Sequence, residues 1–161
     1  MNSINNAPDI ELVSRYSAIP NLLIESLSGL SDNQLDLSRF PGKWSIRQIV
    51  HHIVDCEMNY FQYDRYALSN TDRNFVFPDF NSDTWAENMQ YSRRPIQLEL
   101  KFFSLIREYM TYLCNSLPNS LDRSLKHEDG QFTVRQALEH DNAHARHHIN
   151  QIIETRKAHG I

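Results

Sequence analysis

Two pentapeptides of matching residue classes each stand where a long helix should begin. Residues 44–48 read WSIRQ and residues 132–136 read FTVRQ, so each has an aromatic residue, then Ser or Thr, and then Gln three residues later. A hydroxyl residue followed at the third position by Gln forms a capping box, in which side chains and backbone satisfy each other at the first turn of a helix. The sequence therefore predicts two helices that begin in the same way.

Apolar residues recur at intervals of three and four along both of these segments and along two others. The first capped helix is expected from Ser45 to about Leu68. Of the other two, one is expected to have Pro8 and Asp9 in its first turn and to reach Gly29, with a kink or a restart at Pro20, and the other is expected from Pro95 to Leu113. The chain has 161 residues, only four of them glycine, which argues against a β-rich fold and a second domain. We expect one all-α domain over residues 1–161, a four-helix bundle with short extra helical turns in its connections and a tail at residues 1–8.

The connection after the first capped helix contains an aromatic run, Phe75-Val76-Phe77-Pro78. A segment of this length, residues 69–82, is usually functional or disordered when it has no structure of its own, and so apolar a sequence is unusual for a solvated loop. We predict that it packs over the bundle, as the lid or wall of a pocket, and that a helical turn follows at residues 83–87. The polar residues 127–130 are predicted to form a loop.

Charge and hydropathy restrict the class of partner. The net charge is −4 and the isoelectric point is near 6.0, with Lys and Arg scattered along the chain, so no basic surface for nucleic acid is expected. The sequence has neither an N-terminal signal pattern nor an apolar run long enough to cross a bilayer, so we expect a soluble, cytoplasmic protein without a membrane partner. Cys56 and Cys114 lie far apart in helical segments and are predicted to be reduced and buried.

The histidines suggest a metal site. His144 and His148 are four residues apart, so on a helix both project from one face. His52 lies on the apolar face of the first capped helix, whereas His51 is rotated by about 100° from it. Three such imidazoles could hold a metal ion that keeps a coordination position open. The alternative is that they are hydrogen-bonded core histidines, and spacing alone does not decide between the two.

Three segments, in chain order, resemble the DinB/YfiT-like superfamily, in particular its YfiT-like metal-dependent hydrolases. They are GKWSIRQIVHHIVD at residues 42–55, DTWAE at 83–87 and HARHHINQI at 144–152, and the resemblance extends from about Leu12 to Ile153. It implies a four-helix bundle that is often dimeric, so a homodimer is expected. It also implies one divalent metal ion, zinc or nickel, with the ligands on His52, His144 and His148.

The resemblance implies two kinds of chemistry at that metal. The ion would activate water for hydrolysis of a small-molecule substrate, or activate a low-molecular-weight thiol, as co-substrate, for transfer to one. Hydrogen-bond partners of the ligating histidines are expected among Asp55, Asp141 and Gln151. The alternative function is a non-catalytic metal-binding or stress-related bundle protein, which a fourth protein ligand would favour.

The remaining candidates are interpreted as structural. His51, His140 and His147 are interpreted as rim or surface histidines, and Cys56 as a buried thiol rather than a ligand. Many YfiT-like proteins have His where this chain has Glu57, a difference that the resemblance connects with the substrate and not with the three ligands.

Overall fold

The computed structural model describes residues 7–71, 73–128 and 130–161 and is mainly helical. Within these residues the α-helices are α1 (Ala7–Leu27), α2 (Ile46–Ser69), α3 (Ser82–Asn88), α4 (Gln97–Ser116) and α5 (Val134–His159). Turns of 3-10 helix at Asp32–Asp36 and Ser120–Asp122, and a hairpin of β1 (Ser124–His127) and β2 (Gly130–Thr133), lie in the connections. The predicted all-α bundle with short helical turns is confirmed. Of the tail expected at residues 1–8, residues 1–6 lie outside the described residues, and Ala7 and Pro8 belong to α1.

Both capping boxes form as the sequence predicts. Ser45 Oγ accepts a hydrogen bond from the Gln48 backbone N–H at 3.3 Å, and Gln48 Oε1 accepts one from the Ser45 N–H at 2.9 Å. Thr133 and Gln136 make the same two bonds at 3.2 and 2.9 Å. These bonds satisfy N–H groups that have no partner inside the helix, which fixes the starts of α2 and α5.

The arginine that follows each cap ties its helix to an earlier segment. Arg47 is buried, and its guanidinium lies 2.7 Å from Asp36 and 3.0 Å from Asp32 in the 3-10 turn. Arg135 pairs with Asp9 in the first turn of α1. Besides capping its helix, each pentapeptide therefore carries an arginine that binds a carboxylate from an earlier part of the chain.

Two apolar clusters show how the long helices run. One cluster joins the C-terminal halves of α1 and α5 to the N-terminal halves of α2 and α4, and the other cluster joins the opposite halves. Thus α1 and α5 run in one direction, and α2 and α4 run in the other. Each of α1 and α2 packs along both α4 and α5. The consecutive helices α1 and α2 therefore lie on one diagonal of the bundle, and α4 and α5 lie on the other.

The parallel arrangement of α2 and α4 explains the long connection between them. A helix of 24 residues is about 36 Å long, and the chain must return over this length before α4 can begin. On the way, Phe77 packs on Tyr63 with ring centroids 5.4 Å apart, and Phe80 packs on His52 at 6.3 Å. The aromatic rings of the segment therefore pack on the bundle, as predicted, whereas Val76, in the middle of the run, is 84% exposed.

Two local features differ from the predictions. Helix α4 begins at Gln97 with Ile96 as its N-cap, so Pro95 precedes the helix and does not occupy its first turn. The polar segment at 127–130 belongs to the hairpin, in which Ser124 pairs with Thr133, and residue 129 of this segment lies outside the described residues. The strands have four residues each, which is too short for their alternation to stand out in the sequence.

A charged network is buried where the two apolar clusters meet. The Arg107 guanidinium lies 2.8 Å from both carboxylate oxygens of Glu57, and it donates a hydrogen bond to Asn142 Oδ1 at 2.9 Å. The Tyr16 hydroxyl donates to the same Glu57 carboxylate at 2.9 Å. One residue from each of the four long helices takes part, so the network links the whole bundle. Glu57 thus faces the core and not a substrate cleft.

Candidate metal site

The three histidines that the resemblance selects come together between α2 and α5. The ring centroid of His52 lies 5.3 Å from that of His144 and 4.6 Å from that of His148, and the latter two are 4.6 Å apart. His52 is buried, and the two histidines of α5 are half-buried. Because α2 and α5 are antiparallel neighbours, one turn of α2 faces two turns of α5, and the three rings lie together there. The ligand atoms that come within 4.8 Å of one another are those of His52, Cys56 and His144, and His148 is outside that group.

The matching caps give these two helices a common register. Counted from Ser45 and from Thr133, the same three positions hold His52, Cys56 and Tyr60 on α2, and His140, His144 and His148 on α5. In an antiparallel pair the first position of one helix lies opposite the third position of the other, and the middle positions face each other. The contacts follow this pattern, since His52 touches His148 and Tyr60 touches His140 at 5.0 Å.

Cys56 occupies the middle position and belongs to the same cluster. Its Sγ lies 3.6 Å from each ring nitrogen of His52, and the ligand atoms of His52, Cys56 and His144 all lie within 4.8 Å of one another. The side chain is buried, as the sequence predicts, and burial raises the pKa of the thiol to about 12. The sequence signal that could have placed Cys56 here is its spacing of four residues from His52, the same spacing as between His144 and His148.

The electrostatics of the cluster keep the imidazoles neutral. Burial lowers the pKa of His52 to about 3, with a smaller effect from His148. Burial and the neighbouring histidines likewise lower the pKa of His144 to about 3, and burial lowers that of His148. Neutral imidazoles keep a lone pair available, so this donor set fits a divalent cation without first having to release protons.

Gln151 is the predicted supporting residue that contacts a candidate ligand. Its Oε1 lies 3.0 Å from His148 Nδ1, so it can accept the ring N–H there, and its Nε2 lies 2.8 Å from His147 Nε2. With Nδ1–H engaged in this way, the lone pair of the neutral His148 ring is on Nε2. Asp55 instead accepts a hydrogen bond from the Tyr91 hydroxyl. It is therefore placed on the side of α2 that faces the long connection.

Asp141 lies beside Tyr63 and His140, and not beside the three candidate ligands. It accepts a hydrogen bond from the Tyr63 hydroxyl at 2.8 Å, and its carboxylate is 3.2 Å from His140 Nδ1. This hydrogen bond with Asp141 raises the pKa of His140. Asp141 therefore supports the neighbouring His140.

The histidines interpreted as rim or surface residues divide into two groups. His140 and His147 are exposed, as predicted. His51 is buried, which corrects its interpretation as a rim residue. Its ring lies 3.1 Å from the Arg94 carbonyl oxygen and 3.1 Å from Glu99 Oε1, because the end of the connection and the first turn of α4 cover this side of α2. The rotation of about 100° between consecutive helix positions separates His51 from the cluster, as the sequence indicates.

A cleft leads to the candidate site beside His148. It has a volume of about 370 Å³ and is lined by Arg39, Gly42, Lys43, Trp44, Ile49, Asp83, His148 and Gln151. The Trp44 ring lies 4.7 Å from the His52 ring, and Phe80, which packs on Trp85, covers His52 from another side. The site therefore has an aromatic wall and, beside His148, a polar opening large enough for a small molecule.

Known proteins are similar to this chain over most of its length. The sequence model of the DinB superfamily matches residues 15–152. A protein of Oceanobacillus iheyensis, described as a candidate metal-dependent hydrolase, is 30% identical over 144 residues, which are 88% of this chain and 82% of the relative. A protein of Bacillus mycoides strain KBAB4 with the same description is 31% identical over 147 residues, 90% of this chain and 83% of the relative.

A solved structure is similar over almost the whole chain. It is that of YfiT from Bacillus subtilis, described as a probable metal-dependent hydrolase with an unusual four-helix bundle topology. The TM-score is 0.82 at 25% sequence identity, and the match covers 97% of this chain and 90% of YfiT.

Among the described residues, none of the helices combines the length and apolarity needed to cross a bilayer.

Proposed function

Because the chain belongs to the DinB superfamily, we propose that it is a metal-dependent hydrolase of a small-molecule substrate, with His52, His144 and His148 as metal ligands. The convergence of three neutral imidazoles beside an open cleft carries this proposal. Zinc and nickel both suit imidazole nitrogen, so we propose one of these two ions. The YfiT-like relatives described as metal-dependent hydrolases support the same class of reaction.

Different residues would bind the ion, orient a ligand and exclude water in such a site. A divalent cation held by neutral imidazoles keeps its charge and lowers the pKa of a bound water or thiol toward neutrality. Gln151, as the acceptor at His148 Nδ1, would fix the tautomer that leaves Nε2 free to bind the ion. Trp44 and Phe80 exclude water from two sides of His52, so polar groups inside the site act in a medium of low dielectric constant.

Removal of the metal tests the proposed function. Removal of the metal by a chelator is expected to lower the rate of hydrolysis of a panel of small esters and amides by at least about 100-fold, because without the ion nothing lowers the pKa of the attacking water. One equivalent of zinc or nickel is expected to restore the rate. Initial rates and metal content by mass spectrometry are measured on the same samples. A rate that is independent of metal content would contradict the proposal.

The same assay separates the other functions. Turnover that requires a low-molecular-weight thiol and an electrophile would assign a thiol S-transferase. One tightly bound metal per chain, with no turnover on either panel, would assign the non-catalytic metal-binding bundle.

We also propose that the protein is a homodimer and that the outer face of α4 forms the interface. This face carries five large apolar residues whose exposed fractions range from 41% for Phe102 to 74% for Leu98. They are Leu98, Phe102, Leu105, Tyr109 and Tyr112. They recur at alternating intervals of four and three residues, the spacing of the apolar seam between paired helices. A helix of 20 residues is about 30 Å long, so pairing along it would cover on the order of 1,000 Å² in total, the lower limit for a stable interface.

The charges beside this apolar seam favour a second copy of the chain. Lys101 and Glu108 are exposed and flank the seam on one side. In an antiparallel pair related by a two-fold axis near Leu105, Lys101 of each copy lies opposite Glu108 of the other. The apolar seam and the flanking charges of one copy thus match the same face of a second copy, as an interface between identical subunits requires.

Leu105→Glu tests the dimer. This change places two like charges at the two-fold axis, so the dissociation constant is expected to rise by at least about tenfold, as judged from the cost of like charges opposed in an interface. Sedimentation velocity over a range of concentrations measures the effect. The matched control is Ile10→Glu, at an apolar residue of α1 that is 56% exposed. A wild-type protein that is monomeric at high micromolar concentration, or a dimer that tolerates Leu105→Glu, would contradict the proposal.

A further inference from the structure

We propose that Cys56 binds the metal through its sulfur as a thiolate, with its proton released to solvent when the ion binds, as a fourth protein ligand beside His52, His144 and His148. The inference rests on the proposed metal site and extends it. It concerns a residue whose sequence context indicates only a buried thiol, and it changes the donor set from three nitrogens to three nitrogens and one sulfur.

The first observation is the distance between Cys56 and His52. Two donors bound to one tetrahedral zinc ion, with bonds of about 2.0–2.1 Å to nitrogen and 2.3 Å to sulfur, are about 3.6 Å apart. Cys56 Sγ lies 3.6 Å from the ring nitrogens of His52. One ring nitrogen and Sγ are thus at the separation of two ligands of one ion. Because Sγ is equally far from Nδ1 and Nε2, the His52 ring must rotate before one nitrogen and the sulfur can point at a common ion.

The second observation is that Cys56 also lies near the ligand from the other helix. The ligand atoms of His52, Cys56 and His144 are all within 4.8 Å of one another, a closeness that requires Sγ to point between α2 and α5. Only 4% of Cys56 is exposed, so the sulfur faces the cluster and not solvent. Cys114, the other cysteine, is buried in the cluster of apolar residues at the opposite end of the bundle.

The third observation is the register of the two helices. α2 contributes His52 and Cys56 four residues apart, and α5 contributes His144 and His148 four residues apart. Cys56 occupies the position that corresponds to His144 when counted from the caps, and these two residues belong with His52 to the group whose ligand atoms lie within 4.8 Å of one another.

A sulfur ligand has consequences for the metal and for the reaction. It selects zinc, nickel or another thiophilic ion over magnesium or manganese, which prefer oxygen. Four protein donors also complete a tetrahedral site, the coordination that favours the non-catalytic metal-binding alternative. With this donor set, hydrolysis would require the coordination to expand to five, as catalytic zinc sites can do.

Cobalt substitution tests the inference independently of turnover. Wild-type protein loaded with one equivalent of Co²⁺ is expected to show both visible ligand-field bands and a near-ultraviolet sulfur-to-cobalt charge-transfer band. Cys56→Ala is expected to lose the charge-transfer band and keep the visible bands, because the histidines remain. The matched control, Cys114→Ala, is expected to keep both.

Other outcomes overturn the inference and show which part fails. Visible bands without a charge-transfer band in the wild type would leave the histidine site standing and exclude Cys56. No cobalt binding at all would remove the proposed metal site as well. X-ray absorption of the zinc-loaded wild type needs no variant, and a first shell with sulfur at about 2.3 Å is expected, whereas nitrogen and oxygen alone would exclude Cys56.

Discussion

Replacement of His144 by alanine is expected to abolish stoichiometric metal binding and, with it, hydrolysis. His144 belongs to both possible sets of donors, since its ring lies 4.6 Å from His148 and 5.3 Å from His52, and its ligand atom is also grouped with the Cys56 sulfur. Loss of an outer hydrogen-bond partner of a metal ligand lowers metal affinity by about 10–100-fold, and loss of the ligand itself is expected to exceed that. Competition with a chromogenic chelator measures the affinity.

His159→Ala is the matched control for that experiment. His159 is an exposed histidine of the same helix that contacts the Ser38 carbonyl oxygen at 2.9 Å, far along α5 from the cluster. Its replacement is expected to leave both the metal content and the affinity unchanged. A His144→Ala protein that retains one metal ion per chain with native affinity would show that the ion binds elsewhere.

Arg107→Met is expected to have the largest effect on stability, a loss of about 3–5 kcal/mol in the free energy of unfolding. The side chain is fully buried and paired with Glu57, which is 1% exposed, so its removal would leave a buried carboxylate without its counter-charge. The guanidinium also lies 4.0 Å from the centre of the Tyr16 ring, a contact that methionine does not reproduce. Chemical denaturation monitored by circular dichroism measures the loss.

A double variant identifies the cause of that loss. In Arg107→Met/Glu57→Gln the unpaired charge is gone, so much of the stability is expected to return. The deficit of the single variant is also expected to shrink as the pH is lowered. Burial already raises the pKa of Glu57 and Arg107 opposes this effect, so without Arg107 the folded-state pKa rises further and protonation stabilises the fold. A single variant as stable as the wild type, or a double variant no better than the single, would show that the pair is dispensable.

The parts of the fold that could be predicted are those that depend on neighbours in sequence. Capping boxes and apolar periodicity predict the starts of α2 and α5, because a cap is closed by residues three positions apart. The hairpin and the start of α4 were not predicted correctly, since strands of four residues and a single proline carry little local signal. The burial of His51 also required the structure, because its partners Arg94 and Glu99 come from a distant segment.

For this protein, then, the sequence by itself determined the helical class, the two matching helix starts and the faces on which His52, His144 and His148 lie. These follow from hydrogen bonds and side-chain directions within a few turns of one helix. Only the tertiary structure decided that α2 and α4 are parallel, that Glu57 faces Arg107, and that Cys56 meets His144 across the α2–α5 contact. Such contacts join residues far apart in the chain, and the packing of whole helices sets their distances, so no local pattern could supply them.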